Sequence, residues 1–176
     1  MKSLLRISIV LLVVCMTIGM STSCSDDNNC SMAGRPMMYC LIQTINPDNP
    51  KTVLKDTLDL LTITALGTDS IILNQEMNVD SLTLPLRYDK DTTVFIFHYD
   101  SPNHPTYVDT LYVMQQNTPY FQSMECGYMM KQKILKVRFG KIPKNRQPVY
   151  IDSLHILRND ANSNGIQNLQ IFYNYR

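Results

Sequence analysis

From residue 36 onward apolar and polar positions alternate, and the alternation predicts strands. In Thr92 to Tyr99, TTVFIFHY, Val94, Ile96 and His98 share one face, while Phe95, Phe97 and Tyr99 share the other. In Ser81 to Leu86 the leucines Leu82, Leu84 and Leu86 fall on one face, and Pro85 marks an edge strand or a strand end. Met37 to Ile45, Leu58 to Leu66, a short Ser70 to Leu73, Tyr107 to Gln115, Ile134 to Phe139, Ile151 to Leu157 and Ile166 to Tyr173 complete the set. Turn chemistry separates them, as in Asn46-Pro47-Asp48-Asn49-Pro50 and at Gly67. An Asp followed by Ser or Thr and then an apolar Leu or Ile recurs at Asp56, Asp69, Asp80, Asp109 and Asp152. Its irregular spacing reads as turn punctuation and not as a solenoid repeat. Helical periodicity is weak, and Met124 to Gln132 offers one turn at most. About nine short strands with turns between them predict an all-β domain, a single, mostly antiparallel, immunoglobulin-like β-sandwich.

The chain opens differently. Ile7 to Met20, ISIVLLVVCMTIGM, is apolar or small and uncharged, with Lys2 and Arg6 ahead of it. A basic start and a short apolar core make a secretory signal. The run falls short of the roughly 20 residues that a membrane span needs. Ser21-Thr22-Ser23 then lead to Cys24. That layout resembles a bacterial lipobox, in which the cysteine is acylated and becomes the new N-terminus. Ser21 stands where that pattern usually has Leu, and Val13 and Val14 are too large for a cut before Cys15. Acyl chains stabilise anchoring by about 0.8 kcal/mol per buried CH₂. The competing reading is an ordinary signal cleaved near Ser23. Ser25-Asp26-Asp27-Asn28-Asn29 is polar and acidic, which predicts a flexible tether. The Cys-Ser-Asp-Asp start also resembles the export signal of Bacteroidota surface lipoproteins, and a solvated spacer explains it equally well. The expected organisation is a cleaved signal over residues 1–23, a tether over 24–35 and the sandwich over 36–176.

The 176 residues less the 23 of the signal leave 153, enough for one domain with a real core. Removing Lys2 and Arg6 from the 16 Lys+Arg leaves 14 against 15 Asp+Glu, so there is no basic footprint for nucleic acid. Ten Tyr and no Trp, with abundant Thr, Ile and Val, suit half-buried strands. Besides Cys24, the cysteines past the signal are Cys30, Cys40 and Cys126. Three allow one bridge and leave one thiol. Cys30–Cys126, which would fasten the tether to the domain, is favoured; Cys40–Cys126 and Cys30–Cys40 stay open. No cysteine pair has zinc-ligand spacing.

Candidate chemistry is sparse. Asp160-Ala161-Asn162-Ser163-Asn164-Gly165 fits the first half of a calcium loop, but position twelve is Ile171 and strands flank it. A β-hairpin with Asn164-Gly165 at its tight turn is the better expectation. Lys131, Lys133, Lys136, Arg138, Lys141, Lys144 and Arg146 run without one acid among them. They are the best candidate for partner contact, by an acidic protein or by anionic head groups. The ordinary alternative is a solvated edge whose charges prevent pairing. His98, His104 and His155 sit in no metal or nucleophile motif, and His104 reads as loop. Asp89 and Asp91 flank Lys90 as surface charge. Six glycines build no phosphate loop. Met37-Met38, Met129-Met130, Tyr120-Phe121 and Tyr128 read as packing. No catalytic residue, metal site or cofactor is expected.

Several segments carry a family resemblance. They are Cys30, the strand leading into Asn46-Pro47, Asp80-Ser81-Leu82-Thr83-Leu84-Pro85-Leu86, Asp91-Thr92-Thr93-Val94-Phe95-Ile96-Phe97 and Glu125-Cys126-Gly127-Tyr128. With these the chain resembles a family of uncharacterised Bacteroidota lipoproteins carrying a domain of unknown function. The resemblance implies an anchored, β-rich envelope protein and supplies no activity or catalytic residues. Cys40 is extra relative to that family, which supports the Cys30–Cys126 pairing. The expected role is non-catalytic, a structural or accessory part of an outer-membrane assembly. The expected location is the outer membrane, held by lipid, on its periplasmic or cell-surface face. An outer-membrane β-barrel protein is the partner expected by analogy. The alternative is a surface lipoprotein that binds a glycan or small ligand.

Overall fold

The computed structural model describes residues 35–45, 52–54, 57–68, 70–101, 104–124, 126–140 and 149–175. Ten strands and no helix occur among them. One five-stranded sheet is built on β1 (Met37–Ile45) and β10 (Leu169–Tyr175), with β9 (Val149–Ile156) beyond β10. Both β2 (Val53–Leu54) and β5 (Ser81–Pro85) pair with β1, at its far and near ends respectively. The other five-stranded sheet has the order β4 (Ile71–Val79), β3 (Leu58–Ala65), β6 (Thr92–Ser101), β7 (His104–Ser123), β8 (Gly127–Phe139). β1 and β10 run parallel, and the other paired strands run antiparallel.

Period-two alternation places the core between the sheets. Met38, Cys40 and Ile42 of β1 are buried, as are Leu82, Leu84 and Leu86 and the Phe95, Phe97, Tyr99 face of β6. Leu111, Val113, Leu169, Ile171 and Tyr173 join the same cluster. Each such side chain stabilises the fold by roughly 1.5–3 kcal/mol relative to leaving it in water. The all-β sandwich is therefore as the alternation predicts, with Val53–Leu54 as an additional short strand. β4 is longer than expected, reaching Val79, and its register with β3 slips twice. Gln75 and Asn78 there have positive φ, at 48° and 55°. Such irregularity makes β4 a poor template for another strand.

Several local expectations are corrected. His104, expected in a loop, instead opens β7 and pairs with Ser101 at the end of β6. Met124 to Gln132, which offered one helical turn at most, runs from the tip of a long β7–β8 hairpin into its return strand. Beyond Gln115, β7 has β8 as its one paired neighbour, because pairing with β6 ends at Thr92↔Met114. Pro119 fits there, since its missing N–H interrupts no central ladder. Gly127, at φ +66°, opens the return strand at a backbone angle that L side chains resist. The β9–β10 connection is likewise no two-residue turn. It runs through residues 157–168 and straps both sheets, with Asn162 bridging to Met37 and Asp160 to Lys133. Buried Asn168 organises it, accepting from the Tyr39 N–H at 3.0 Å and donating to the Asp160 carbonyl at 2.7 Å.

Asp109 is no turn residue. It lies inside β7 at 1 % exposure. Its carboxylate accepts from the Tyr99 hydroxyl and from the Ile151 N–H, each at 2.8 Å. One acceptor thus ties β6 and β7 to β9 across the sandwich. A buried carboxylate is tolerated where donors surround it. Burial chiefly, with Tyr173 and Asp109 nearby, holds the Tyr99 phenol well above its ordinary pKa.

The turn between β5 and β6 is held by amides. Gln115 donates to the carbonyls of Arg87 and Lys90 at 2.6 and 3.1 Å. Asn117 donates to Arg87, Tyr88 and Lys90 carbonyls at 3.1, 3.3 and 2.8 Å. Gln132 reaches the Leu86 and Arg87 carbonyls at 3.3 and 3.1 Å, and Asn117 Oδ1 at 3.1 Å. Gln115, Gln132 and Thr93 are buried.

Replacing Gln115 with Leu keeps the volume, removes one of the donors to the Arg87 and Lys90 carbonyls and takes the Gln115 amide from the buried Thr93 hydroxyl. We expect Gln115→Leu to lose about 1–3 kcal/mol in urea unfolding, with an unchanged m-value. A second expectation concerns alkali. The unfolded chain ionises Tyr99 near pH 10, whereas the folded chain keeps its proton to higher pH. The stabilisation is complete below about pH 10 and fades as pH climbs through the folded value. Tyr99→Phe should flatten that alkaline limb in a stability–pH series.

Candidate functional site

Four of the seven candidate cations fall on β8, and a bulge decides how they face. Ile134 pairs with Gln115 while Lys136 pairs with Met114, so Leu135 is an extra residue on β8. Before it the outward positions are odd, and after it they are even. Lys131, Lys133, Lys136 and Arg138 therefore all point outward, and all are exposed. Gln132 and Ile134, between them, are buried. Lys141, Lys144 and Arg146 lie outside the described residues, as do Cys24 and Cys30.

The outward face is a ladder of cations against aromatic and thioether side chains. Arg138 sits over the ring of its cross-strand partner Tyr112 at 4.9 Å. Lys131 sits over Tyr120 at 4.9 Å. Such contacts are worth about 0.5–1 kcal/mol at exposed sites and hold flexible cations in place. β8 is an edge strand, and its outer backbone is partly covered. Ile134 donates to the Asn159 carbonyl at 2.6 Å, and Ala161 to the Gln132 carbonyl at 3.0 Å.

The tip is a different surface. Phe121 and Tyr128 face each other across the ladder, rings 5.6 Å apart and edge-on. Phe121 is 52 % exposed, Met124 86 % and Tyr128 77 %. The expectation that Phe121 and Tyr128 pack in a core is corrected: they lie on the two-stranded part of the hairpin, past the last residue of β7 that pairs with β6. Met129 and Met130 are half-buried.

Beneath the tip lies a cleft of about 710 Å³. One wall is Tyr128, Met130 and Gln132; the other is the chain as it enters the fold, Arg35, Pro36 and Met37. Its floor is the amide-held turn at Leu86–Asp89. Arg35 stacks over Tyr88 at 5.8 Å. Arg87 grips Asp89 with two hydrogen bonds, at 2.9 and 2.6 Å, and that guanidinium holds the Asp89 carboxyl below the usual range. This size suits a small ligand, and the lining is mainly apolar.

The histidines are dispersed. His98 Nε2 lies 3.1 Å from the Thr64 hydroxyl, and His155 stacks edge-on against Phe172. In the calcium-like segment, Asn162 Oδ1 accepts from the Asn164 and Ile166 N–H groups, so it serves the loop. Cys40 is a free thiol, and burial pushes it well above its ordinary pKa, which makes it inert. The two pairings through Cys40 are thereby ruled out. Sequence reasoning missed the exposed tip and the cleft. The nearest signal was the crowding of Tyr120, Phe121, Met124, Tyr128, Met129 and Met130 within eleven residues.

No curated protein and no solved structure matches the chain. Residues 60–173, from the second residue past the start of β3 to near the end of β10, match the family of unknown function DUF6452. They contain the hairpin, the turn beneath it and the strap, and with them the chain belongs to that family.

Proposed function

We propose that this is a lipid-anchored cell-envelope protein with a non-catalytic, structural or accessory role in an outer-membrane assembly. The observation that carries the reading is the N-terminal arrangement. A basic start, a short apolar run and Ser21-Thr22-Ser23 precede Cys24, and the described domain begins eleven residues later at Arg35. Residues 1–23 are the cleaved signal and 24–35 the tether. The sandwich then stands off the outer membrane, on its periplasmic or cell-surface side. The outward cations of β8 supply a face for an acidic partner, and an outer-membrane β-barrel protein fits that description. His98 is engaged by the Thr64 hydroxyl and His155 by the Phe172 ring, which favours a non-catalytic role.

A Cys30–Cys126 disulfide belongs to the same reading. Two observations support it: Cys40 is free, and Cys126 is disulfide-bonded. The bridge would fasten the tether to the hairpin tip. A second reading, glycan or small-ligand binding, is favoured by the cleft, where Tyr88 and Tyr128 offer aromatic surfaces.

Mass spectrometry of the N-terminal peptide should find acyl mass on Cys24, and Cys24→Ala should leave the membrane fraction. An unmodified thiol at that position overturns the anchor. Cys30→Ser, Cys126→Ser and the double variant should each lose the same roughly 2–5 kcal/mol, because they remove one bridge. Losses that add would rule the pairing out. A glycan array that binds wild type and not Tyr88→Ala would favour the second reading over the first.

A further inference from the structure

The hairpin tip combines two chemistries that meet at a lipid interface. Its end carries three exposed apolar side chains among the polar Gln122, Ser123 and Glu125: Phe121, Met124 and Tyr128 are 52, 86 and 77 % accessible. Behind it, on the return strand, stand Lys131 and Lys133, both exposed. Residues 116–123 of β7 pair with β8 alone, so a ribbon about 26 Å long, at roughly 3.3 Å per residue, carries the tip away from β6. Aromatic and thioether side chains favour the boundary between head groups and acyl chains. Lysines set a few residues behind them favour phosphate.

The direction of the tip also fits. Arg35, where the described chain begins, and Tyr128 line the same cleft. The described chain therefore begins beside the tip. Eleven residues reach at most about 37 Å when extended. An anchor on Cys24 keeps the tip within reach of the same bilayer.

We propose that the β7–β8 tip dips into an anionic lipid surface, with Phe121, Met124 and Tyr128 at the acyl boundary and Lys131 and Lys133 on head-group phosphates. In its placement relative to the bilayer this rests on the anchor reading; in its chemistry it rests on the tip alone. Lys136 and Arg138, further along β8, stay clear for a protein partner.

The chain has no tryptophan, so Phe121→Trp in the full chain gives a single fluorescent reporter. It is mixed with vesicles of phosphatidylglycerol and phosphatidylethanolamine, or of phosphatidylcholine alone, each carrying brominated acyl chains. On the anionic vesicles we expect the indole at position 121 to shift to the blue and to be strongly quenched. Adding Lys131→Gln and Lys133→Gln should raise the lipid concentration for half-maximal quenching roughly thirtyfold, at about 1 kcal/mol per lysine. Val53→Trp serves as control, because Val53 pairs with Ile45 at the opposite end of β1 from the cleft. Its indole should remain unquenched. Flotation with phosphatidylcholine vesicles reports the acyl anchor separately. A chain that floats while the indole at position 121 stays solvent-like overturns the tip proposal and leaves the anchor standing. A chain that fails to float on phosphatidylcholine, yet is quenched on anionic vesicles, removes the anchor and keeps the tip. Equal quenching of the reporters at positions 121 and 53, or a blue shift that needs added envelope protein, overturns the tip proposal in favour of non-specific adsorption or a protein contact.

Discussion

Backbone carbonyls that bend away from a sheet must find donors elsewhere, and that requirement shapes the end of this molecule. The turn after Leu86 presents several carbonyls to the interior, and the amides of Gln115, Asn117 and Gln132 take them. Those amides come from both strands of the hairpin. The turn and the hairpin are therefore one unit: without the amides the turn has unsatisfied acceptors, and without the turn the amides are stranded donors. Buried polar groups of this kind are costly when half-satisfied. The cleft exists because its floor and one of its walls are fixed to each other in this way.

A second polar tie acts at depth. Asp109 accepts from a strand in each sheet, so the relative position of the sheets is specified by geometry as well as by apolar packing. Apolar contact is non-directional and tolerates sliding. A carboxylate that needs donors from Tyr99 and Ile151 tolerates little. The strap through Asp160 and Asn162 adds backbone pairing to both sheets.

The alternating runs made the strands of the core legible. β1 has the bounds its apolar pattern gives, and the Phe95, Phe97, Tyr99 face is buried as the alternation implies. What escaped the sequence was decided by neighbours. Asn117 and Pro119 look like the end of β7, yet the strand continues because no central ladder needs the missing proline N–H there. Asp109 looks like turn punctuation, since its donors lie far away in the chain. Lys131 and Lys133 differ in parity from Lys136 and Arg138, and only the partner register shows that Leu135 brings the four to one side. Exposure of Phe121 and Tyr128 depends on where β6 stops, which neither residue reveals.

The parallel pairing of β1 with β10 has a mechanical consequence. β1 lies between β10 on one flank and β5 with β2 on the other. A pull applied at Arg35 runs along the axis of β1. It loads the hydrogen bonds of both flanks in shear, so they must yield together and cannot open one at a time like a zip. A first strand paired on both flanks in this fashion resists extraction by tension far better than one lying on a rim.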